Sequence, residues 1–306
     1  MNKISGVFSA SLTPYNEDFS VNNKMLLEHC NSLIKKIDGI AIFGTTGEAN
    51  LLSINQKIES LEFLINNNFD SNRLIPGTGL NSIKDTIFFT KAVSKMKVKA
   101  VLMLPPFYYK KINSNGLIDY YSRVIEEVAD NNLNYLLYHI PQMSGISIDL
   151  NVIEKLISKF PKNIIGIKDS SENIDNMLKM IKIFPEFSVL SGSDSLALKA
   201  VKHGGSGAIT AAANIAGELL SFIVNNWKKE PEIDNFFEFQ KLIEDIRAAI
   251  FSGEPISTLK AFLSVDQNNQ EWNRLMPPLS NIESPEQNTA VNNLIDLSKK
   301  MKNLLS

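Results

Sequence analysis

Three short stretches carry residue types able to do covalent chemistry on a carbonyl. In "NIIGIKDSS", Asn163 to Ser171, Lys168 comes straight after Ile164, Ile165, Gly166 and Ile167. An amine at the end of an apolar run loses solvent, which disfavours its charged form and lowers its pKa below the usual value of about 10.4. A neutral amine is a nucleophile toward a ketone. The bland alternative is a lysine that snorkels to water or pairs with Asp169. In "NYLLYHIP", from Asn134, Tyr138 ends another apolar run just before Pro141. A phenol beside an imine can shuttle protons, and a core aromatic with a satisfied hydroxyl fits equally well. "GTTGE", Gly44 to Glu48, offers two hydroxyls and several backbone N–H groups in a tight turn, donors suited to a carboxylate. It also fits an ordinary strand-to-helix turn in which Thr or Glu caps the next helix.

Composition narrows the classes. The chain has 306 residues, 44% of them hydrophobic, which is ample for a sizeable core. The net charge is −2 and no basic stripe occurs, so nucleic acid is not an expected partner. One cysteine, Cys30, excludes an internal disulfide framework. The three histidines, His29, His139 and His203, are scattered, so no metal site is expected. The first residues lack a long apolar signal segment, and no stretch approaches the ~20 apolar residues of a membrane span. The expected location is the cytoplasm, with no membrane partner.

Eight apolar runs are available to position the three stretches. They are "GVFSASL" from Gly6, "GIAIFG" from Gly39, "RLIPGTG" from Arg73, "AVLMLP" from Ala100, "NYLLYHIP", "NIIGIK", "FSVLSG" from Phe187 and "GAITAA" from Gly207. Most lack polar alternation, as parallel strands buried on both faces do. Between them lie helical patterns. "NKMLLEHCNSLIKK" sets Met25, Leu26, His29, Cys30, Leu33 and Ile34 on one stripe. "SIKDTIFFTKAVSKM" does so with Ile83, Ile87, Phe88 and Ala92, and "DLNVIEKLISKF" starts at a candidate Asp149 cap. Strand then helix, eight times, predicts an α/β fold, a (β/α)8 TIM barrel over residues 1–225. The amphipathic segments of 226–306, beginning with "DNFFEFQ", predict a C-terminal helical extension packed on the barrel. A doubly wound sheet is the structural rival, but no G-x-G-x-x-G follows the first strand.

Barrel active sites lie at the C-terminal strand ends. Those ends carry "GTTGE", "PPFYYK" with Tyr108 and Tyr109, Tyr138, Lys168, "SGSD" with Asp194, and Ile209 with Thr210. If Lys168 points inward, alternation sends Gly166 and Ile164 inward with it, Gly166 leaving room beneath the amine. His139 then points outward and is structural. Asp194 is able to accept hydrogen bonds from substrate hydroxyls or to cap the following helix. "HGGSG", His203 to Gly207, reads as a tight turn into the last strand, with anion binding as the alternative.

In order, "GTTGE", "PPFYY", "YHIP", "GIKDSS" and "SGSD" resemble the dihydrodipicolinate synthase / N-acetylneuraminate lyase family, class I pyruvate-dependent Schiff-base aldolases on a (β/α)8 barrel. The resemblance runs from about Phe8 to past Ile215, and the helical tail fits it. It implies an imine between Lys168 and pyruvate or another 2-keto acid, with Tyr138 as acid and base. It implies a carboxylate-holding turn at Thr45, Thr46 and Gly47, with Thr45 also in a proton relay. Tyr108 would extend that relay across a tight dimer interface, within a homotetramer built as a dimer of dimers. Ile209 would line the pyruvate pocket. Neither metal nor dissociable cofactor is implied.

Two positions depart from the family's pattern. His139 stands where an asparagine is usual. Met143 stands where the synthases carry an arginine for the carboxylate of aspartate semialdehyde. Losing a charge-assisted hydrogen bond of about 1.5–3 kcal/mol weakens such a substrate about 10–100-fold. No other arginine is expected near these strand ends, since Arg73 opens its strand at the opposite end of the barrel. An apolar residue at 143 looks more like the sugar-acid aldolases. The expected reaction is therefore reversible cleavage of a 2-keto-3-deoxy sugar acid to pyruvate and an aldehyde, with Met143 and Asp194 in the substrate pocket. The alternatives are 4-hydroxy-tetrahydrodipicolinate synthase, a Schiff-base sugar-acid dehydratase, and a non-catalytic 2-keto-acid sensor.

Overall fold

The apolar runs become parallel strands buried on both faces, as their lack of alternation requires. A computed structural model of the chain describes residues 3–233 and 236–305; Met1, Asn2, Asp234, Asn235 and Ser306 lie outside the described residues, so the start of the "DNFFEFQ" segment does too. The order begins β1 (Gly6–Ala10), α1 (Asn23–Leu33), β2 (Gly39–Ala41), α2 (Ile54–Asn66), α3 (Ile83–Ser94), β3 (Val101–Met103). It continues α4 (Ser114–Val128), β4 (Tyr135–His139), α5 (Pro141–Ser144), α6 (Leu150–Lys159), β5 (Ile164–Asp169), α7 (Ile174–Ile183), β6 (Ser188–Ser191). It ends α8 (Asp194–Lys202), β7 (Gly207–Thr210), α9 (Ala213–Asn226), α10 (Phe236–Ile250), α11 (Pro255–Asp266), α12 (Thr289–Leu305).

The seven strands pair in parallel in the order β2-β1-β7-β6-β5-β4-β3. The stretch "RLIPGTG" closes the gap between β2 and β3 without forming a regular ladder. The N–H groups of Ile75 and Gly77 donate to Ile40 and Ile42 at 2.8 Å, and Thr78 N–H donates to Leu102 at 3.0 Å. Alternation gives the β3 side the N–H of residue 76, and Pro76 has none to give. The eighth stave is therefore present as isolated bridges, and the TIM barrel is nearly closed by seven true strands.

Phe8, Leu102, Leu136, Tyr138, Leu190 and Ile209 fill the barrel interior, while the other faces of the strands pack under the helices. On β5 the expected alternation fails at one place. Tyr135 pairs with Ile164 but Leu136 pairs with Gly166, so Ile165 is an extra residue in a bulge. Ile165, not Ile164, therefore joins the interior. Gly166 leaves no gap beneath the amine: a Cβ there would meet Ser188 O at 2.5 Å and Leu136 Cδ2 at 2.7 Å. It is a close-packing glycine between neighbouring strands.

The helices bury the predicted faces with one rotation. α1 buries Met25, Leu26, His29, Cys30 and Leu33. α3 buries Thr86, Phe89, Thr90 and Val93 beside Ile87, and leaves Phe88 57% exposed. Thr86 turns inward because its hydroxyl meets Tyr120 Oη at 2.8 Å, a polar contact that an apolar-stripe reading does not count. Asp149 occupies the N-cap of α6 without a side-chain cap bond. α10 packs on α8 and α9, and α12 on α9, α10 and α11. That arrangement brings the junction of α10 and α11 over the C-terminal end of the barrel. Among the described residues no helix is long and apolar enough to cross a membrane.

One buried charge has no evident use. Lys57 of α2 is 1% exposed, makes no ion pair among the described residues, and lies 5.7 Å from the Phe89 ring centroid. Burial lowers its pKa to about 8. The unfolded chain keeps that proton to about pH 10.4. Between the two values the unfolded state binds more protons, so this group's contribution to stability rises with pH across that window. Lys57→Met is expected to raise Tm at pH 7, with an advantage over the natural chain that shrinks as pH rises from about 8 to 10. Paired melts across that range check it, and a lower Tm at pH 7 contradicts it.

Candidate active site

Tyr138 and Lys168 are partners across β4 and β5, so both side chains share the interior face. Lys168 Nζ donates to Tyr138 Oη at 3.3 Å and lies 4.3 Å from the ring centroid. Tyr138 Oη stands 3.2 Å from Thr45 Oγ1, in the turn after β2. Lys168 is 4% exposed, and among the described residues no carboxylate pairs with it. Asp169 points the other way, accepting from Ser171 N at 2.8 Å and Asn176 Nδ2 at 2.7 Å. His139 also faces outward, and its Nδ1 accepts the Ile148 N–H at 3.1 Å. Burial lowers its pKa, against the pull of Asp169 and Asp149, so the ring stays a neutral acceptor.

The "GTTGE" turn is held in an unusual shape. Phe43 (φ 57°), just before it, and Glu48 (φ 55°), its last residue, lie in the left-handed region, where residues with side chains sit only when their surroundings fix them. At Gly47 a Cβ would lie 2.8 Å from Ser11 O, and the Gly47 carbonyl accepts from Thr13 Oγ1 at 2.8 Å. Among the described residues Thr46 has no hydrogen-bond partner for its N–H or hydroxyl. Glu48 does not cap α2, because Ser53 and Gln56 form that helix's capping box. Glu48 is buried against α11 instead, 2.5 Å from Lys260 Nζ, and it accepts the Met276 N–H at 3.1 Å. Burial raises the Glu48 pKa and lowers that of Lys260 to about 8, each opposed by the other's charge. An ion pair thus ties the turn to the C-terminal helices.

Above Lys168 opens a cavity of about 360 Å³. Lys168, Tyr138 and Thr45 form its floor, Thr46, Ile140 and Met143 its wall, and Gln142, Ser170 and Glu172 part of its mouth. Arg247, Phe251, Glu254 and Ile256 reach over it from α10 and α11. Ile209 is fully buried in the barrel interior with Tyr138, below this space. Gly47 shapes the turn without lining the cavity.

Two expected residues stand elsewhere. Tyr108 is 72% exposed in the loop after β3, edge-on to Tyr109 at 5.2 Å, and does not reach the cavity of its own chain. Asp194 does not line this cavity and stands behind its wall. It is buried at the first residue of α8, 3.3 Å from Arg247 Nη1. Burial raises its pKa against the opposing effects of Thr210 and Arg247. The expectation that no arginine other than Arg73 stands near these strand ends is also overturned. Arg73 does lie at the far end, donating to Ile34 O at 2.8 Å. Arg247, however, reaches the mouth and pairs with both Asp194 and Glu172. It comes from α10, and nothing local in that amphipathic segment marks it. Among the described residues there is no cluster of three or more His, Cys, Asp or Glu able to hold a metal.

The sequence matches the dihydrodipicolinate synthetase family over residues 3–296. The chain belongs to that family. The 4-hydroxy-tetrahydrodipicolinate synthase of Listeria monocytogenes serotype 4b is 37% identical over 227 residues, 73% of this chain and 75% of that protein. An uncharacterized DapA-like lyase of Chloroflexus aurantiacus is 30% identical over 285 residues, covering 91% of this chain and 93% of that one. Among solved structures, N-acetylneuraminate lyase from Fusobacterium nucleatum aligns with a TM-score of 0.84 at 28% identity, covering 97% of this chain and 99% of that one. This dihydrodipicolinate synthetase family member is thus a lyase of the class I aldolase type. Its relatives differ in their named reactions, so the family fixes the chemistry more closely than the aldehyde.

Proposed function

We propose that this enzyme reversibly cleaves a 2-keto-3-deoxy sugar acid to pyruvate and an aldehyde through an imine on Lys168. The observation that carries the reading is the buried amine 3.3 Å from the Tyr138 hydroxyl, itself 3.2 Å from Thr45 Oγ1. The Lys168 amine attacks C2 of the keto acid and water leaves, giving a protonated imine that serves as electron sink. The unpartnered Thr46 N–H and hydroxyl hold the substrate carboxylate. Tyr138 takes the C4 hydroxyl proton as the C3–C4 bond breaks, with Thr45 next in line. The aldehyde departs, the enamine takes a proton at C3, and hydrolysis frees pyruvate and the lysine. Tyr108 is exposed on its own chain, and in this reading it completes the relay of a second copy within a homotetramer. The scheme uses neither metal nor dissociable cofactor.

Met143 supports a sugar acid over aspartate semialdehyde. It is 63% exposed on the cavity wall and offers no donor to a carboxylate. Gln142, Ser170 and Glu172 line the same cavity and carry polar groups able to meet hydroxyls. One observation favours the synthase reading instead: Arg247 brings a guanidinium to the mouth. A panel of 2-keto-3-deoxy acids, N-acetylneuraminate, and pyruvate with aspartate semialdehyde tests the choice. Pyruvate release from a keto-deoxy acid is expected; turnover confined to aspartate semialdehyde contradicts it, and a dehydrated keto acid without free aldehyde points to dehydration.

Tyr138→Phe is expected to lower kcat for cleavage by about 10²–10⁴-fold while imine formation remains detectable, the scale of losing a positioned proton donor. Unchanged turnover removes Tyr138 from the scheme.

A further inference from the structure

We propose that Glu172, clamped by Arg247 at the cavity mouth, determines specificity, accepting hydrogen bonds from an uncharged polyol tail and excluding tails that end in phosphate or carboxylate. The inference rests on the aldolase reading and names the substrate class for it. Glu172 lies four residues past Lys168, in the loop that leaves β5. Its backbone is left-handed (φ 60°), a conformation a glutamate keeps only where its neighbours hold it. They do so on both sides. Asp169 Oδ1 accepts the Ser171 N–H at 2.8 Å, and Asn173 caps α7 by accepting the Asn176 N–H at 3.1 Å.

The side chain, 57% exposed, is tethered from above by one ion pair. Arg247 Nη2 binds Glu172 Oε1, and Nη1 lies 3.3 Å from the fully buried Asp194. The guanidinium carbon sits 4.3 Å from the Phe251 ring centroid. Arg247 is only 15% exposed. With both ends of its fork engaged and one face on an aromatic ring, it is an oriented support rather than a free cation. Glu172 lines the cavity, and among the described residues no group donates to its second oxygen, Oε2, which is left as an acceptor.

Charge at the mouth points the same way. Glu172 and Glu254 line it against Arg247, a surplus of one negative charge before the buried Asp194 is included. Hydroxyls donate to such carboxylates. A phosphate or carboxylate tail would face like charge, and would have to displace Glu172 to reach the guanidinium. Lys168 lies on the cavity floor and belongs to the keto-acid end.

The test compares kcat/KM for 2-keto-3-deoxygluconate and its 6-phosphate in the full-length natural enzyme and in Glu172→Gln. Pyruvate trapping on Lys168 is measured in the same preparations to report the imine site. The natural enzyme is expected to favour the unphosphorylated acid by at least about tenfold, and Glu172→Gln to shrink that ratio by about tenfold, mainly through KM. A natural preference for the phosphate, or a ratio that Glu172→Gln does not move, overturns this inference alone. Cleavage of neither acid overturns this inference, and trapping of pyruvate with no keto-deoxy acid of the wider panel cleaved overturns the aldolase reading as well.

Discussion

Lys168→Ala is expected to lower kcat by on the order of 10⁴–10⁶-fold, the scale of deleting a covalent nucleophile. The amine is buried on the interior face of β5 beside β4, and its hydrogen-bond partner is the Tyr138 hydroxyl. Without it no imine forms, and the electrons of the breaking C3–C4 bond have no sink. Lys168→Arg separates nucleophile from charge. A guanidinium keeps a cation at the site but does not deprotonate in a protein, so it cannot attack C2. Both variants are expected to lose activity alike, with melting curves showing that each is folded. An Arg variant with more than about a hundredth of natural turnover would contradict the covalent role, since a cation alone would then suffice.

Lys260→Met is expected to cost about 3–5 kcal/mol of stability, the range seen when one partner of a buried ion pair is removed. Glu48 is fully buried and held 2.5 Å from Lys260 Nζ, so the single variant leaves a carboxylate in the protein interior with only the Met276 N–H at 3.1 Å. Because Glu48 ends the turn that carries Thr45 and Thr46, the same variant should raise KM for the keto acid. Glu48→Gln combined with Lys260→Met should recover at least half of the lost stability, since it removes the stranded charge. Chemical denaturation of the three proteins measures this. A single variant within about 1 kcal/mol of the natural chain would show that the pair does not lock the turn.

The pair also marks the boundary of what the sequence could tell. Tyr138 and Lys168 end two apolar runs, and period-two alternation with parallel register suffices to set them side by side. Thr45 follows from its place just after a strand, whereas Met143 enters only through the family resemblance. Failures arise where a long-range partner or a packing detail decides. Glu48 looks like a helix cap until Lys260 arrives from α11. Asp194 looks like a cap or a pocket acceptor until Arg247, 53 residues later, reaches it. The bulge at Ile165 breaks an alternation that the residues alone make regular. Pro76 turns one expected strand into bridges by withholding a single N–H. Phe88 and Phe89 are indistinguishable in hydrophobicity, and the Thr86 hydroxyl, which meets Tyr120 Oη at 2.8 Å, turns inward the face that carries Phe89.

Reductive trapping tests the imine most directly. The full-length enzyme is incubated with pyruvate and borohydride, digested, and mapped by mass spectrometry. The expected result is a pyruvate-dependent adduct on the peptide carrying Lys168, absent from Lys168→Ala. An enzyme that releases pyruvate from its substrate yet yields no adduct, or yields one on a different lysine, would contradict the mechanism.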